Sequence, residues 1–285
     1  MIKVFTNRKD FDHYRNSLST QTIGLVPTMG NLHKGHVSLI EKSVEENDVT
    51  IVTIYVNPKQ FGPNEDFDKY PRTLDADLSK ISGVALLIDA KKDIVVYAPK
   101  TDEGIYPEGF STTISVGPMT QKFEGAVRPT HFDGVTTVVY RLFAITKAHT
   151  AYFGQKDVQQ CLIIKKMVAD LQIPIKIHIM PIVRNSEGLA LSSRNQYLSD
   201  SERVDALVLP HTLQKVEKLI RTKQDYKSFI ADVTADKKWD YLEVLDSTNL
   251  ETPNDKTQEF VIVAAYRLGT TRLLDNILVP VSTGK

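Results

Sequence analysis

The chain has 285 residues, enough to bury a sizeable core as one large domain or two. Its 35 basic and 35 acidic residues cancel, which argues against a nucleic-acid scaffold while leaving room for a local basic pocket. Cys161 is the only cysteine, so an intramolecular disulfide and a thiolate metal cage are excluded, and 41% hydrophobic with 25% charged residues is ordinary for a soluble globular protein.

The N-terminal Met1-Ile2-Lys3-Val4-Phe5 lacks the apolar region of a signal peptide, and no run approaches the ~18 apolar residues of a membrane span. A cytoplasmic protein with no membrane or nucleic-acid partner is expected. Residues 3–5 predict a short strand, followed by a helix capped by Thr6 or Asn7. An apolar run at 23–26 is then broken by Pro27 and Gly30. From Gly35 an apolar-periodic segment puts Val37, Ile40 and Val44 near one face, and a second apolar run occupies 49–56. This order is a βαβ unit with a right-handed crossover.

The chemistry of that unit lies in its loop. Gly30 and Gly35 permit close backbone approach, and the first N–H groups of the helix have no intrahelical partner, which suits a phosphate. An exposed helix terminus supplies only about 0.3–1 kcal/mol, so side-chain donors must add to it. His33 and His36, three apart, can face the same way and donate two hydrogen bonds to one phosphate chain. No third ligand stands at zinc-like spacing, so no protein metal site is expected there. The next loop, Asn57-Pro58-Lys59-Gln60-Phe61-Gly62, follows a parallel strand and should lie beside the histidines. Asn57 and Gln60 are therefore candidate substrate contacts, the alternative being a loop that uses Asn and Pro merely to turn.

Tyr70-Pro71-Arg72-Thr73 opens a helix with Asp75 and Asp77 in its first turns; both could reach a metal, but complementarity to the helix dipole accounts for them without one. A strand is predicted at 84–88, and 91–119 reads as irregular apart from a strand at 112–116. A helix running to about Lys147 buries Val135, Val138, Val139, Leu142, Phe143 and Ile145. A strand at 150–153 turns through Gly154-Gln155-Lys156-Asp157 into a helix at 158–171, where Cys161 reads as a packed side chain, and a strand follows at 175–183. After a polar turn at 184–188, Ser199 and Glu202 form a capping box for a helix to about Arg221. A helix at 226–234 and strands at 241–245, 260–268 and 272–279 complete the chain. The expected fold class is α/β: a Rossmann-like parallel-sheet domain over 1–183 carrying the histidine motif, and a smaller α+β domain with an antiparallel sheet over 184–285.

His33-Lys34-Gly35-His36 resembles the HxGH signature of the nucleotidyltransferase superfamily related to class I aminoacyl-tRNA synthetases. The longer Pro27-Thr28-Met29-Gly30-Asn31-Leu32-His33-Lys34-Gly35-His36 resembles the pantothenate synthetase family in particular. Further blocks agree with that family: Asn57-Pro58-Lys59-Gln60-Phe61, Tyr70-Pro71-Arg72, the loop 124–135, Phe153-Gly154-Gln155-Lys156-Asp157-Val158-Gln159-Gln160, and Leu191-Ser192-Ser193-Arg194-Asn195. The last stands where the wider superfamily has its KMSKS loop. Two positions depart from the pattern, Thr130 where glycine is expected and Gln155 where glutamate is usual.

The resemblance implies ATP-dependent condensation of pantoate with β-alanine to pantothenate, AMP and pyrophosphate through a pantoyl adenylate, with Mg²⁺ on the nucleotide. By the same resemblance His33 and His36 meet the phosphates, His36 serving as proton donor to the leaving group, and Lys156, Ser192, Ser193 and Arg194 clamp the triphosphate. Pro27, Thr28, Gly30, Gly35 and Leu191 join them in binding ATP; Met29 and Val183 resemble adenine contacts, and Gly154 and Asp157 ribose contacts. Gln60 and Gln160 hold pantoate, each amide offering donors and an acceptor, with Asn57, Tyr70 and Arg128 as further substrate contacts. The C-terminal domain would act as a lid over the labile adenylate, and a homodimer is implied. Two readings stay open beside it, an adenylyltransferase acting on a phosphorylated acceptor and a nucleotide-binding module without catalysis.

Overall fold

Strands read as unbroken apolar runs where both faces of a parallel sheet are covered, and Ile23–Thr28 and Val49–Ile54 are buried almost throughout. They belong to a computed structural model that describes residues 2–62, 67–86, 92–192, 195, 198–269 and 271–281. Two units are distinguished: Met1–Gly154 with Gln159–Met180, and Gln155–Val158 with Pro181–Lys285.

Up to Met180 the elements are β1 (Ile2–Phe5), α1 (Arg8–Ser17), β2 (Ile23–Thr28), α2 (Lys34–Glu46), β3 (Val49–Ile54), α3 (Leu74–Ala85), β4 (Asp93–Tyr97), α4 (Glu124–Val127), α5 (His131–Thr146), β5 (Thr150–Gly154), α6 (Val158–Asp170) and β6 (Lys176–Met180). Among the described residues the strands form one parallel sheet in the order β1-β4-β3-β2-β5-β6. That order changes direction between β2 and β5, the switch point where ligands of open α/β sheets bind. β2 pairs with β3 along its whole length but with β5 only at Gly24 and Leu25. Pro27 has no N–H with which to extend that ladder, so the two strands part before their carboxyl ends. α2 and α3 bury Ile40, Val44, Ile81 and Val84 against Val26, Val52, Ile94 and Val96. Each such side chain contributes roughly 1.5–3 kcal/mol when fully buried.

Two expected strands are corrected. Val84 lies in α3, where it is buried, and the strand of this region is β4; Leu87 and Ile88 fall outside the described residues. The apolar run Ile94-Val95-Val96-Tyr97 is a buried strand between β1 and β3 inside the stretch read as irregular. Residues 112–116 form no strand; at their centre Ile114 satisfies its backbone on side chains of α5, its N–H donating to Thr137 Oγ1 at 3.0 Å and its carbonyl accepting from Thr136.

In the second unit α7 (Asp200–Asp205), α8 (Val208–Arg221) and α9 (Tyr226–Val233) precede β7 (Trp239–Asp246), β8 (Glu259–Leu268) and β9 (Thr271–Pro280). These strands form an antiparallel β7-β8-β9 sheet. Ser199 and Glu202 make the expected capping box, but the helix they open ends at Asp205 and α8 restarts at Val208. Leu209, Leu213 and Val216 of α8 pack with Ile262, Ala264 and Leu273 of the sheet.

Candidate active site

At the carboxyl end of β2, the start of α2 is built by its own two histidines. His33 is the N-cap; its Nδ1 accepts the Gly35 N–H at 3.1 Å, and His36 Nδ1 accepts the His33 N–H at 3.2 Å. A backbone N–H can only donate, so both Nδ1 atoms are acceptors and each neutral ring carries its proton on Nε2. With ring centroids 4.1 Å apart, the pair places two Nε2–H donors side by side. Two backbone N–H groups of the terminus are thereby taken up by imidazole, so an anion at this helix start would meet side-chain donors more than it would at a bare helix end. A Cβ on Gly35 would lie 2.9 Å from His33 Cε1, so glycine is what lets that ring fold back over the helix start. The spacing of the motif thus follows from its geometry.

The loop before the histidines is tied down on both sides. Thr28 Oγ1 donates to the Thr53 carbonyl at 2.8 Å and receives the Gly30 N–H at 3.1 Å. Gly30 and Asn31 then take positive φ, 84° and 50°. From α3, the Asp77 carboxylate, 0% exposed, accepts Asn31 N–H on Oδ2 at 2.9 Å and Leu32 N–H on Oδ1 at 2.7 Å. Thr73 Oγ1 donates to it at 3.1 Å, and Lys80 Nζ holds the Leu32 carbonyl at 2.7 Å. Asp77 is therefore an anchor of the histidine loop, while Asp75 is exposed.

A second cluster in the same unit surrounds Gln60. Asn57 caps the short Pro58–Gln60 turn, and its Nδ2 donates to Gln60 Oε1 at 2.9 Å and to the Gly134 carbonyl at 3.1 Å. The Gln60 carbonyl receives His131 Nδ1–H at 2.8 Å and Arg128 Nη2 at 3.2 Å. A carbonyl can only accept, so neutral His131 has its proton on Nδ1, leaving Nε2 to accept from Arg128 Nη1 at 3.2 Å. α5 approaches this turn through Gly134, where a Cβ would sit 2.0 Å from the Lys59 oxygen. Tyr106 Oη donates to Asn57 Oδ1 at 2.9 Å. Burial pushes the Tyr106 hydroxyl well above the usual phenol range, the negative charge of Asp102 adding to the effect, so it stays a donor.

Other expected contacts are placed as follows. Pro27 and Met29 are half-buried at the end of β2, Tyr70 packs edge-on to Phe61 with centroids 5.9 Å apart, and Gly154 ends β5. Gln160 is half-buried in the first turn of α6. Its neighbour Gln159 is buried and clamps the 119–124 loop, donating to the Met119 and Lys122 carbonyls at 2.9 and 2.8 Å and accepting the Glu124 N–H at 3.2 Å.

In the second unit, Lys156 makes a loose 3.4 Å ion pair with Asp157, of a kind worth about 0–1 kcal/mol and so readily exchanged for a phosphate. Its turn is held from β9: Asn276 Nδ2 donates to the Gln155 and Lys156 carbonyls at 2.9 and 3.1 Å, and Gln155 Nε2 donates to Asn276 Oδ1 at 3.0 Å. The departure at Gln155 thus gives Asn276 a donor that glutamate lacks. Val183 and Leu191 pair through a 2.9 Å backbone bond, steadied by the Arg184 fork on Asp275 at 2.6 and 2.8 Å. Ser192 is half-buried beyond them, and Asn195 Nδ2 ties the same loop to the Ala190 carbonyl at 2.9 Å. Ser193 and Arg194 lie outside the described residues.

Sequence reasoning assigned no part in the site to Tyr106, His131, Gly134, Gln159 or Asn276. His131 and Gly134 sit inside a family-like block and could have been flagged from it. Tyr106 lies in a stretch without periodicity and gave no signal.

A family model described as Pantoate-beta-alanine ligase matches residues 3–278. The chain is 46% identical over 268 residues to a pantothenate synthetase of Acetivibrio thermocellus, covering 92% of each, and 46% identical over 285 residues to one of Hydrogenovibrio crunogenus, covering 97% of each. A pantothenate synthetase of Thermus thermophilus matches with a TM-score of 0.84 at 37% identity, over 96% of this chain and 98% of its own. A pantoate-beta-alanine ligase of Francisella tularensis, solved in complex with beta-gamma ATP and beta-alanine, matches with a TM-score of 0.73 at 34% identity, over 98% of both.

Proposed function

The chain belongs to the pantoate-beta-alanine ligase family and is an ATP-dependent ligase that joins pantoate to β-alanine, and we propose that it works through a pantoyl adenylate. In the first step a pantoate carboxylate oxygen bonds to the α-phosphorus of ATP, and the bond to pyrophosphate breaks. In the second, the amine of β-alanine attacks the acyl carbon, AMP leaves and the nitrogen gives up a proton. No protein nucleophile is needed, so catalysis rests on positioning and on neutralising charge on the phosphoryl oxygens.

The observation that carries this reading is the reciprocal cap of α2, which fixes both histidines with Nε2–H as donor at the switch point of the sheet. Two such donors suit a phosphate chain whose charge grows as pyrophosphate departs, and they are pre-organised before ATP arrives. We read His36 as a hydrogen-bond donor to the leaving group. Lys156, Ser192, Ser193 and Arg194 add their donors to the triphosphate, and Met29, Val183, Gly154 and Asp157 serve the adenosine. Gln60 and Gln160 hold pantoate, with Asn57, Tyr70 and Arg128 around it. Mg²⁺ would come with its nucleotide substrate, on the phosphate oxygens. A lid role for residues 184–285 and a homodimer are further parts of the proposal.

The test is release of AMP and pyrophosphate from MgATP with pantoate and β-alanine together, then with each omitted. AMP only when both are present supports the ligase through its adenylate. Pyrophosphate without AMP in every mixture would instead identify an adenylyltransferase, and no release despite ATP binding would leave a nucleotide-binding module.

A further inference from the structure

We propose that Tyr106 is a positioning residue: together with the Lys59 N–H and the Gly134 carbonyl it holds Asn57 in the orientation that turns the Gln60 NH₂ toward the substrate, making Gln60 a donor to an oxygen of pantoate. This rests on the ligase reading and deepens it. An amide's orientation is normally ambiguous, since its O and N ends have the same shape. Here two backbone groups remove the ambiguity at Asn57. The Gly134 carbonyl, 3.1 Å away, can only accept, so the atom facing it is Nδ2; the Lys59 N–H, 3.3 Å away, can only donate, so the atom facing it is Oδ1. Tyr106 Oη, 2.9 Å from that Oδ1, must then donate its single proton there.

The consequence passes to Gln60. Asn57 Nδ2 has its second hydrogen directed at Gln60, 2.9 Å away, so the atom it meets must be Oε1. The opposite flip would set NH₂ against NH₂. Gln60 is only 8% exposed, and among the described residues its Nε2 makes no hydrogen bond. The expectation that Gln60 offers donors and acceptor alike is thereby narrowed: it offers N–H, and the pantoate atom it meets is a carboxylate or hydroxyl oxygen. Tyr106 is buried between Tyr55 and Phe110, with ring centroids 6.3 and 5.0 Å away, so its hydroxyl is aimed by packing. It is the stronger of the two donors on Asn57 Oδ1, the Lys59 N–H being 0.4 Å more distant by the difference between 3.3 and 2.9 Å.

Tyr106→Phe removes this donor and keeps the ring. By the usual cost of leaving a buried polar group short of a partner, kcat/KM for pantoate should fall about five- to thirtyfold, with the KM for ATP changed less than about twofold. In a Gln60→Ala background the same substitution should cost less than about twofold, because the residue it acts through is gone. Equal losses in both backgrounds, or a matching rise in the ATP KM, would overturn the relay and leave Tyr106 a packing residue. Asn57→Asp is the second arm. It keeps the acceptor for Lys59 and Tyr106 but faces Gln60 with oxygen, inviting the flip, and should lower pantoate kcat/KM at least as far; unchanged pantoate kinetics in both variants would also overturn the proposal. A parent protein forming no AMP with pantoate and β-alanine would instead sink the ligase reading, so the two failures are distinguishable.

Discussion

Replacing Asp77 by asparagine changes one atom in α3 and should be felt at the histidines. The two carboxylate oxygens accept one backbone N–H each, from Leu32 on Oδ1 and Asn31 on Oδ2. An amide has a single acceptor atom, so one of those N–H groups must face an NH₂. Leu32 is 2% exposed and its bond is the shorter, so the amide oxygen should stay with Leu32 and the conflict fall on Asn31. Loss of one charge-assisted bond of this kind costs about 1.5–3 kcal/mol. Asn31 sits at φ 50° and stands only two residues before the His33 cap, so the loop relaxes where the Nε2 donors are aimed. A displacement near 1 Å at a reacting group costs about a hundredfold in rate. The expected result is a kcat roughly a hundredfold lower, with faster amide exchange over 28–36 and pantoate affinity little changed. A kcat within about threefold of the parent, with exchange over 28–36 unaltered, would refute the anchoring role.

Three other substitutions separate structure from chemistry. His33→Asn retains an N-cap acceptor for Gly35 and should keep stability within a few tenths of a kcal/mol, yet lose about a hundredfold to a thousandfold in kcat for want of Nε2–H; retained activity would remove His33 from the phosphates. Thr130 is a β-branched residue held at φ 69°. Left-handed backbone costs such a residue about 1–2 kcal/mol, of which glycine's looser unfolded chain returns part, so Thr130→Gly should stabilise the protein by roughly 0.5–1 kcal/mol in urea titration; a loss of stability would show that the conformation is not strained. Gly134→Ala drives a methyl into the Lys59 carbonyl and should abolish pantoate-dependent turnover while MgATP binding, followed by calorimetry, survives; normal pantoate kinetics would mean that α5 and the 58–60 turn separate freely.

The parallel sheet was legible because its strands are short apolar runs and its first crossover carries a compact motif. What failed did so for stated reasons. The run 84–88 is apolar like a strand, but Val84 continues the buried face of α3 together with Ile81. At 112–116 a strand was expected, yet among the described residues none pairs with it in a ladder, and the Thr136 and Thr137 hydroxyls of α5 take the Ile114 backbone bonds instead. In the site, His33, His36, Asn57 and Gln60 were visible as residues, but not the direction of their hydrogen bonds. Those directions, set by the backbone of Gly35, His33, Lys59 and Gly134, decide that each of His33, His36 and Gln60 presents N–H.

Three anchors whose part in the loops was missed from sequence share one physical reason. Asp77 anchors backbone groups 45 and 46 positions away, Gln159 groups 35 to 40 away and Asn276 groups 120 and 121 away. Every residue but proline has the same N–H and C=O, so the anchored side of such a bond leaves no trace in the sequence. The choice of anchor is nevertheless chemically determined. Where the loop turns two N–H groups inward, as at Asn31 and Leu32, a carboxylate satisfies both with two acceptors. Where it turns carbonyls inward, as at 119 and 122 or at 155 and 156, a carboxylate would repel them and an amide NH₂ fits. A buried Asp, Asn or Gln whose hydrogen bonds go mainly to backbone therefore reports the polarity of a loop, and here it does so for the histidine loop, where Lys80 stands 3.9 Å from Asp77 as well, the loop before α4 and the Lys156 turn alike.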